Sequence, residues 1–330
     1  MPKRIAINGF GRIGRSALKI ALTLPDVEVV AINDLTDNAT LAHLMRYDTA
    51  YGRYDRVVTS DEDHLIVDGK SILALAEKDP SKLPWKQLKV DTVLECTGIF
   101  TTKEKASGHL AAGAKRVIIS APAKGDDPVG TYVLGVNVDG AAPDGVVSNA
   151  SCTTNCIAPV MRVLTESFGV TKAMMTTVHS YTADQNLQDG PHKDLRRARA
   201  AAQNIVPTST GAAKTAAKTL PALEGKFDGF AIRVPTITVS LSDITCVVQQ
   251  PTTVDAVNAA FRNAAASPTY RGILDVTDQP LVSSDFIGNP HSAIVDLLLT
   301  KVVDGDLVKV VAWYDNEWGY AQRLVELAAQ

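Results

Sequence analysis

A doubly wound α/β domain followed by an α+β domain on a mostly antiparallel sheet is the fold class this sequence predicts, on three observations. A short apolar strand runs into a glycine-rich turn and then a helix within residues 5–24. Strand and helix patterns then alternate as far as residue 121, as a parallel sheet requires. Beyond residue 150 the grain changes to long Thr- and Val-rich runs with few crossover helices between them.

The first element is Ile5 to Asn8, followed by Gly9-Phe10-Gly11-Arg12-Ile13-Gly14 and a helical pattern from Arg15 to about Leu24. This is GxGxxG in the strand, turn and helix context of a Rossmann-type dinucleotide-binding domain. Gly9 makes the tight turn, Gly11 lets backbone approach a pyrophosphate, and Gly14 lets helix pack on strand. The second strand, Val27 to Ile32, ends in Asn33-Asp34, twenty residues beyond Gly14. An acid there accepts hydrogen bonds from a ribose 2′-hydroxyl and repels a 2′-phosphate, so the expected cofactor is NAD. The bland alternative is a glycine turn without a ligand.

Leu65 to Leu73 reads as two strands joined by Asp68-Gly69, the signal of a tight hairpin, so the sheet is expected to be mixed. Strand Val93 to Cys96, a helix from about Lys103 to Ala112 and strand Arg116 to Ala121 continue the alternation. Thr97-Gly98 and Ser120 fall just past the carboxyl ends of two strands, where open α/β sheets bind ligands. Each reads equally as an ordinary strand-ending turn.

The second domain opens on Ser151-Cys152-Thr153-Thr154-Asn155-Cys156, and apolar residues at 157, 160, 161, 164 and 168 place Cys152 in the first turn of a helix. Free N–H groups and the positive dipole end favour a thiolate there, which makes Cys152 a candidate nucleophile. The alternative is a small buried residue, the commoner fate of a free cysteine. Strands are expected over Ala173 to Tyr181, Phe230 to Val234, Thr236 to Gln250 and Leu307 to Tyr314. His179 ends the first of these and is the best available base for Cys152, against a histidine merely hydrogen-bonded in the core.

Thr208-Ser209-Thr210-Gly211 precedes an alanine-rich helix, Ala212 to Leu220, where N–H groups and hydroxyls converge as a phosphate requires. A plain helix cap is the other reading. Arg196, Arg197, Arg199 and Arg233 are candidate forks for phosphate oxygens, although a run such as Lys193 to Arg199 also suits a solvated basic face. A final helix, Asn316 to Ala329, carries Trp318, Ala321, Leu324, Val325 and Ala328 on one face.

Length and composition agree with this division. The chain's 330 residues exceed the size at which one core keeps growing, so two domains, 1–150 and 151–315, are expected. With 33 basic and 36 acidic residues the net charge of -3 gives no reason to expect nucleic acid or an anionic membrane as partner. Four cysteines, at 96, 152, 156 and 246, are too scattered for a disulfide framework, which fits a reducing, cytoplasmic compartment. With the first strand expected from Lys3, no signal peptide is expected, and no apolar run reaches bilayer-spanning length. No metal site is expected.

As a whole the sequence resembles the phosphorylating glyceraldehyde-3-phosphate dehydrogenases. The resemblance is carried by Asn8 to Arg15, Ser120-Ala121-Pro122, Ser151 to Cys156, His179-Ser180-Tyr181-Thr182, Thr210 to Lys214, Arg233-Val234-Pro235 and Trp313 to Tyr320. It implies that Cys152 attacks an aldehyde carbon, that His179 moves the protons, and that hydride passes to NAD to leave a thioester, which inorganic phosphate cleaves to 1,3-bisphosphoglycerate. It further implies Thr182 and Arg233 on the phosphate of glyceraldehyde 3-phosphate, and Ser151, Thr153, Thr210 and Gly211 on the incoming phosphate, with Arg197 nearby.

The resemblance places Arg12, Ile13, Asp34, Ser120 and Asn316 on NAD, with Tyr320 near the nicotinamide. Lys78 stands near the adenine, where many members carry arginine, and Gly190 replaces a bulkier apolar residue before Pro191. The last helix, 316–330, is implied to fold back on the nucleotide domain, and the 182–204 loop to reach across a homotetramer interface. An erythrose-4-phosphate dehydrogenase is the rival activity, and an added RNA- or surface-binding role the rival class.

Overall fold

The computed structural model describes residues 2–138, 140 and 142–330. By contacts the chain divides into two compact units. One comprises Met1–Tyr132, Val138–Ala150 and Ala321–Gln330, the other Val133–Asn137 and Ser151–Tyr320.

In the first unit β1 (Lys3–Asn8) leads through the glycine turn into α1 (Arg12–Ala21) and β2 (Val27–Asn33). Gly9 has φ +92°, and a Cβ on it would stand 2.6 Å from the Thr97 nitrogen. A Cβ on Gly14 would meet the Gly9 carbonyl oxygen at 2.1 Å, so only glycine lets α1 lie this close to β1. At Gly11 the same position opens onto free space.

The chain continues through α2 (Asn38–Arg46), the small ladder of β3 (Tyr47–Asp48) and β4 (Gly52–Arg53), then β5 (Val58–Ser60), β6 (His64–Val67) and β7 (Lys70–Leu75). The β6/β7 turn places Asp68 at φ 49° and Gly69 at φ 79°, both left-handed, as a two-residue hairpin requires. Then come β8 (Thr92–Glu95), α3 (Lys103–Ala111), β9 (Arg116–Ile119), β10 (Gly130–Thr131) and β11 (Gly145–Ser148). The nine strands run in the order β10-β11-β9-β8-β1-β2-β7-β6-β5, parallel from β10 to β7 and antiparallel beyond. From β1 the chain builds outward through β2, then returns to β8 on the other side. The switch point, where such sheets bind ligands, is therefore at the carboxyl ends of β1 and β8.

In the second unit α4 (Cys152–Phe168) is capped by the Ser151 hydroxyl, which accepts from the Thr154 N–H at 3.0 Å. It ends at Gly169 with φ 69°, a left-handed stop. There follow β12 (Val170–Ser180), β13 (Val206–Ser209), α5 (Ala212–Thr219), β14 (Phe227–Val234), β15 (Ser240–Val248) and α6 (Val254–Ala266). The unit continues with β16 (Leu274–Thr277), β17 (Ala293–Asp296), β18 (Lys301–Val303) and β19 (Leu307–Tyr314). Its main path is β13-β14-β12-β15-β19-β17-β16, with β18 on β19. Only β12/β14 and β16/β17 are parallel, so the sheet is mostly antiparallel.

Several boundaries differ from the sequence pattern: α1 starts at Arg12 and not Arg15, β12 at Val170 and not Ala173, and β14 at Phe227 and not Phe230. The strand expected from Thr236 begins at Ser240, because Val239 has φ 71° and breaks the extended run. Thr208 and Ser209, expected in a helix-start turn, lie in β13. The last helix, α7 (Trp318–Ala329), starts where Asp315 Oδ1 accepts the N–H groups of Glu317 and Trp318 at 3.0 and 2.9 Å. No helix among the described residues is long and apolar enough to cross a membrane.

Candidate active site

The N-terminus of α4 and the carboxyl end of β12 bring Cys152 and His179 together. Cys152 Sγ is 3.5 Å from His179 Nε2. His179 Nδ1 lies 2.7 Å from the Ser180 carbonyl oxygen and 3.1 Å from Arg233 Nη1; a ring proton on Nδ1 satisfies the carbonyl and leaves Nε2 as the acceptor facing sulfur. In the parallel register of β12 and β14, Arg233 stands opposite His179, and its Nη1 donates to the same carbonyl at 3.0 Å. The Ser180 carbonyl and Arg233 thus hold the imidazole in place.

The electrostatics correct a simpler expectation. The helix start alone does not make Cys152 a free thiolate: burial pushes its thiol up, while the Arg233 guanidinium and the Thr153 hydroxyl and N–H pull it back. Burial, and then Arg233, push the His179 imidazole down to about 3. Neither group carries its charge alone at low cost. Moving one proton from Sγ to Nε2 keeps the net charge constant and sets thiolate against imidazolium, an exchange that the 3.5 Å contact allows.

Around this pair lie groups suited to anions. Arg233 is mostly buried, which lowers its own pKa, and its Nε has no hydrogen-bond partner. The Gln185 side-chain nitrogen is likewise buried and unpartnered, and its oxygen accepts the Thr182 N–H at 3.3 Å. Buried donors left without acceptors mark a place where an anion is favoured. Ser151 Oγ accepts from Thr154 N–H and lies 2.8 Å from Thr154 Oγ1, whose own hydrogen goes to the Ala212 carbonyl, so the Ser151 hydroxyl is engaged within the first turn of α4. Thr153 Oγ1 is committed to the Tyr314 hydroxyl at 2.9 Å, and Thr210 Oγ1 accepts the Ala212 N–H at 3.2 Å. Gly211 starts α5 without a side-chain cap.

Arg197 is more occupied than its charge suggested. It donates to Asp184 at 2.6 Å, to Thr208 Oγ1 at 2.8 Å and to the Ser209 carbonyl at 3.1 Å, with Asp194 at 3.5 Å. Its first role is to hold β13. Arg199 pairs with Asp189 on the surface and Arg196 is exposed, as a solvated face would have them.

In the first unit, α1 begins at Gly11 with no side-chain cap on its first N–H groups, and the space beside Gly11 is open. Asp34, at the end of β2, accepts the Phe10 N–H at 2.7 Å and the Thr36 N–H at 3.0 Å. These features fit a dinucleotide: anion-favouring N–H groups, room for a pyrophosphate and a carboxylate for the ribose. Ile13 is half-buried in the first turn of α1, and the Arg12 guanidinium is paired with Asp48 at 2.5 Å, so Arg12 faces the turn with its backbone. Thr97 gives its hydroxyl and N–H to Glu95, Ser120 is half-buried past β9, and Lys78 is exposed. In the second unit Asn316 Oδ1 accepts from Ser180 Oγ and Ser240 Oγ at 2.8 and 2.9 Å, and Tyr320 is buried in α7.

Three participants were not singled out in the sequence. Tyr314 holds Thr153 and, at 2.7 Å, Thr177, and packs edge-on to His179. Asp184 and Asp194 neutralise Arg197. Their partners lie far away in sequence or within a polar loop, so no spacing rule finds them. Cys156 is buried, with its sulfur toward the Ala312 carbonyl, and packs in the core.

Residues 3–103 match the family model of the glyceraldehyde 3-phosphate dehydrogenase NAD binding domain, and 151–316 that of its C-terminal domain. The chain is 55% identical over 331 residues to glyceraldehyde-3-phosphate dehydrogenase of Geobacillus stearothermophilus, covering 100% of this chain and 98% of that one. It is 54% identical to the protein of the same name from Streptomyces coelicolor, with 99% and 98% covered. For the Zymomonas mobilis protein of that name the identity is 53%, with 100% and 98% covered.

Proposed function

The chain belongs to the glyceraldehyde-3-phosphate dehydrogenase family, and from that premise we propose that Cys152, His179 and Arg233 carry its oxidation of glyceraldehyde 3-phosphate, with NAD and inorganic phosphate, to 1,3-bisphosphoglycerate. The observation that carries this reading is the 3.5 Å approach of Cys152 Sγ to His179 Nε2, with Nδ1 tied to the Ser180 carbonyl.

The thiol proton moves to Nε2 as sulfur attacks the aldehyde carbon, and His179 returns it to the new oxygen, giving a thiohemiacetal. His179 then takes the hydroxyl proton as the carbon–hydrogen bond is lost, which leaves a thioester on Cys152. NAD, when bound, supplies the hydride acceptor. Attack of inorganic phosphate on the thioester carbonyl releases the acyl phosphate and the Cys152 thiolate, which takes the proton back from the His179 imidazolium and restores the starting thiol. Arg233 and Thr182 are proposed for the substrate's phosphate, and Ser151, Thr153, Thr210 and Gly211 for the incoming one, with Arg197 bracing β13 beside them. For NAD the proposed residues are Gly9, Gly11, Arg12, Ile13, Gly14, Asp34, Lys78, Thr97, Ser120, Asn316 and Tyr320.

In this reading residues 1–150 and the last helix hold the dinucleotide, and 151–315 perform the reaction. A homotetramer is part of the proposal, supported by large apolar residues at the surface: Leu187 and Leu195 are 82% and 81% exposed, with Ile205, Met174 and Phe230 also uncovered. Four free cysteines suit a reducing, cytoplasmic compartment. The test is NADH formation from glyceraldehyde 3-phosphate with and without inorganic phosphate. Phosphate dependence and preference over erythrose 4-phosphate are expected; a phosphate-independent rate with erythrose 4-phosphate preferred overturns the reading.

A further inference from the structure

Beneath the glycine turn the first unit holds a polar chain that no step above uses. Trp85 Nε1–H donates to His109 Nδ1 at 2.9 Å, so that nitrogen is an acceptor and the ring proton sits on Nε2. Nε2 donates to Glu95 Oε2 at 3.1 Å. The same oxygen accepts Asn8 Nδ2 at 2.6 Å, while Oε1 accepts the Thr97 N–H at 2.8 Å and the Thr97 hydroxyl. Asn8 Oδ1 in turn accepts Asn33 Nδ2 at 2.7 Å, and Asn33 bonds both the N–H and the carbonyl of Glu77. Trp85 and His109 are 0% exposed and Glu95 1%, so these are bonds that water does not replace.

Asn8 is the last residue before Gly9, and Thr97 is the residue against which Gly9 packs. One buried carboxylate therefore joins the turn after β1 to the turn after β8, at the switch point of the sheet. We infer that Glu95 is the positioning residue of the dinucleotide site, setting the distance between the Gly9 and Thr97 turns through Asn8 and Thr97, with His109 and Trp85 fixing the carboxylate from behind. The inference rests on the reading of the Gly9 to Gly14 turn as the NAD site.

The geometry supplies its own rescue experiment. In Glu95→Gln the amide keeps one acceptor oxygen, and its NH2 meets donors on the other side, leaving buried donors unpaired. In the double variant with Asn8→Asp the polarity is exchanged. An oxygen replacing Asn8 Nδ2 accepts from the new amide at position 95 and also from His109 Nε2, which lies 3.3 Å from that position, while the other oxygen still accepts from Asn33. Buried charge and bond number are both preserved.

NAD binding is measured by titration calorimetry on the full chain, wild type and variants. E95Q is expected to bind NAD about tenfold more weakly, and N8D/E95Q to return to within about threefold of wild type. Wild-type affinity in E95Q, or a double variant no better than E95Q, overturns the inference. Should E95Q not fold, Trp85→Phe decides: it removes one distant donor and is expected to weaken NAD about threefold, and unchanged affinity overturns the inference. Asp34→Ala separates the two claims, because unchanged NAD affinity there sinks the reading of the turn itself, whatever Glu95 does.

Discussion

His179 and Arg233 stand opposite each other in the parallel register of β12 and β14, and both reach the Ser180 carbonyl. A cation beside the imidazole keeps it a base, and the same cation lowers the cost of charge on Cys152. Arg233 also retains an unpartnered Nε for an anion.

Replacing Arg233 by glutamine removes the fixed charge while keeping much of the volume. Loss of charge-assisted bonds to a substrate phosphate is expected to lower kcat/KM for glyceraldehyde 3-phosphate about a hundredfold. Steady-state kinetics at saturating NAD checks this; a change confined to the KM for NAD would contradict it.

Paired ionisation is open to chemical labelling. Alone, Cys152 is a thiol whose burial raises its pKa, so His179→Asn is expected to slow its alkylation by iodoacetamide at about pH 7 at least tenfold and to move the midpoint of the pH–rate curve upward. Equal rates in the two proteins would show that His179 does not share the thiol proton.

Acid stability tests the buried imidazole from another side. In the unfolded chain histidine takes up its proton near 6.5, whereas in the folded chain burial and Arg233 push His179 down to about 3. Between these values the unfolded state binds more protons, so the folded state loses stability as pH falls from 6.5 toward 3. The urea midpoint of wild type should therefore fall more steeply across that window than that of His179→Asn. Parallel curves would mean that His179 protonates freely in the folded chain.

Local chemistry made much of this legible in the sequence. The Gly9 to Gly14 turn, the Asp68-Gly69 hairpin and the helix start at Cys152 are each specified by neighbours within a few residues, and the structure has all three. Less visible was anything set by tertiary pairing. Thr153 meets Tyr314 from 161 residues away, and Glu95 meets Asn8 from 87. The late start of β15 follows from left-handed backbone at Val239, which a β-branched side chain gives no reason to expect. Arg197 read as an anion fork because its charge was visible and its neutralising partners, Asp184 and Asp194, looked like ordinary loop acids.

The central claim is that oxidation leaves an acyl group on Cys152 that only phosphate removes efficiently, and the most direct measurement is the NADH formed per chain when inorganic phosphate is withheld. With glyceraldehyde 3-phosphate and excess NAD, a rapid burst approaching one NADH per Cys152 followed by near arrest is predicted, with turnover resuming when phosphate is added and no burst in Cys152→Ser. Continued turnover at the full rate without phosphate would contradict the account.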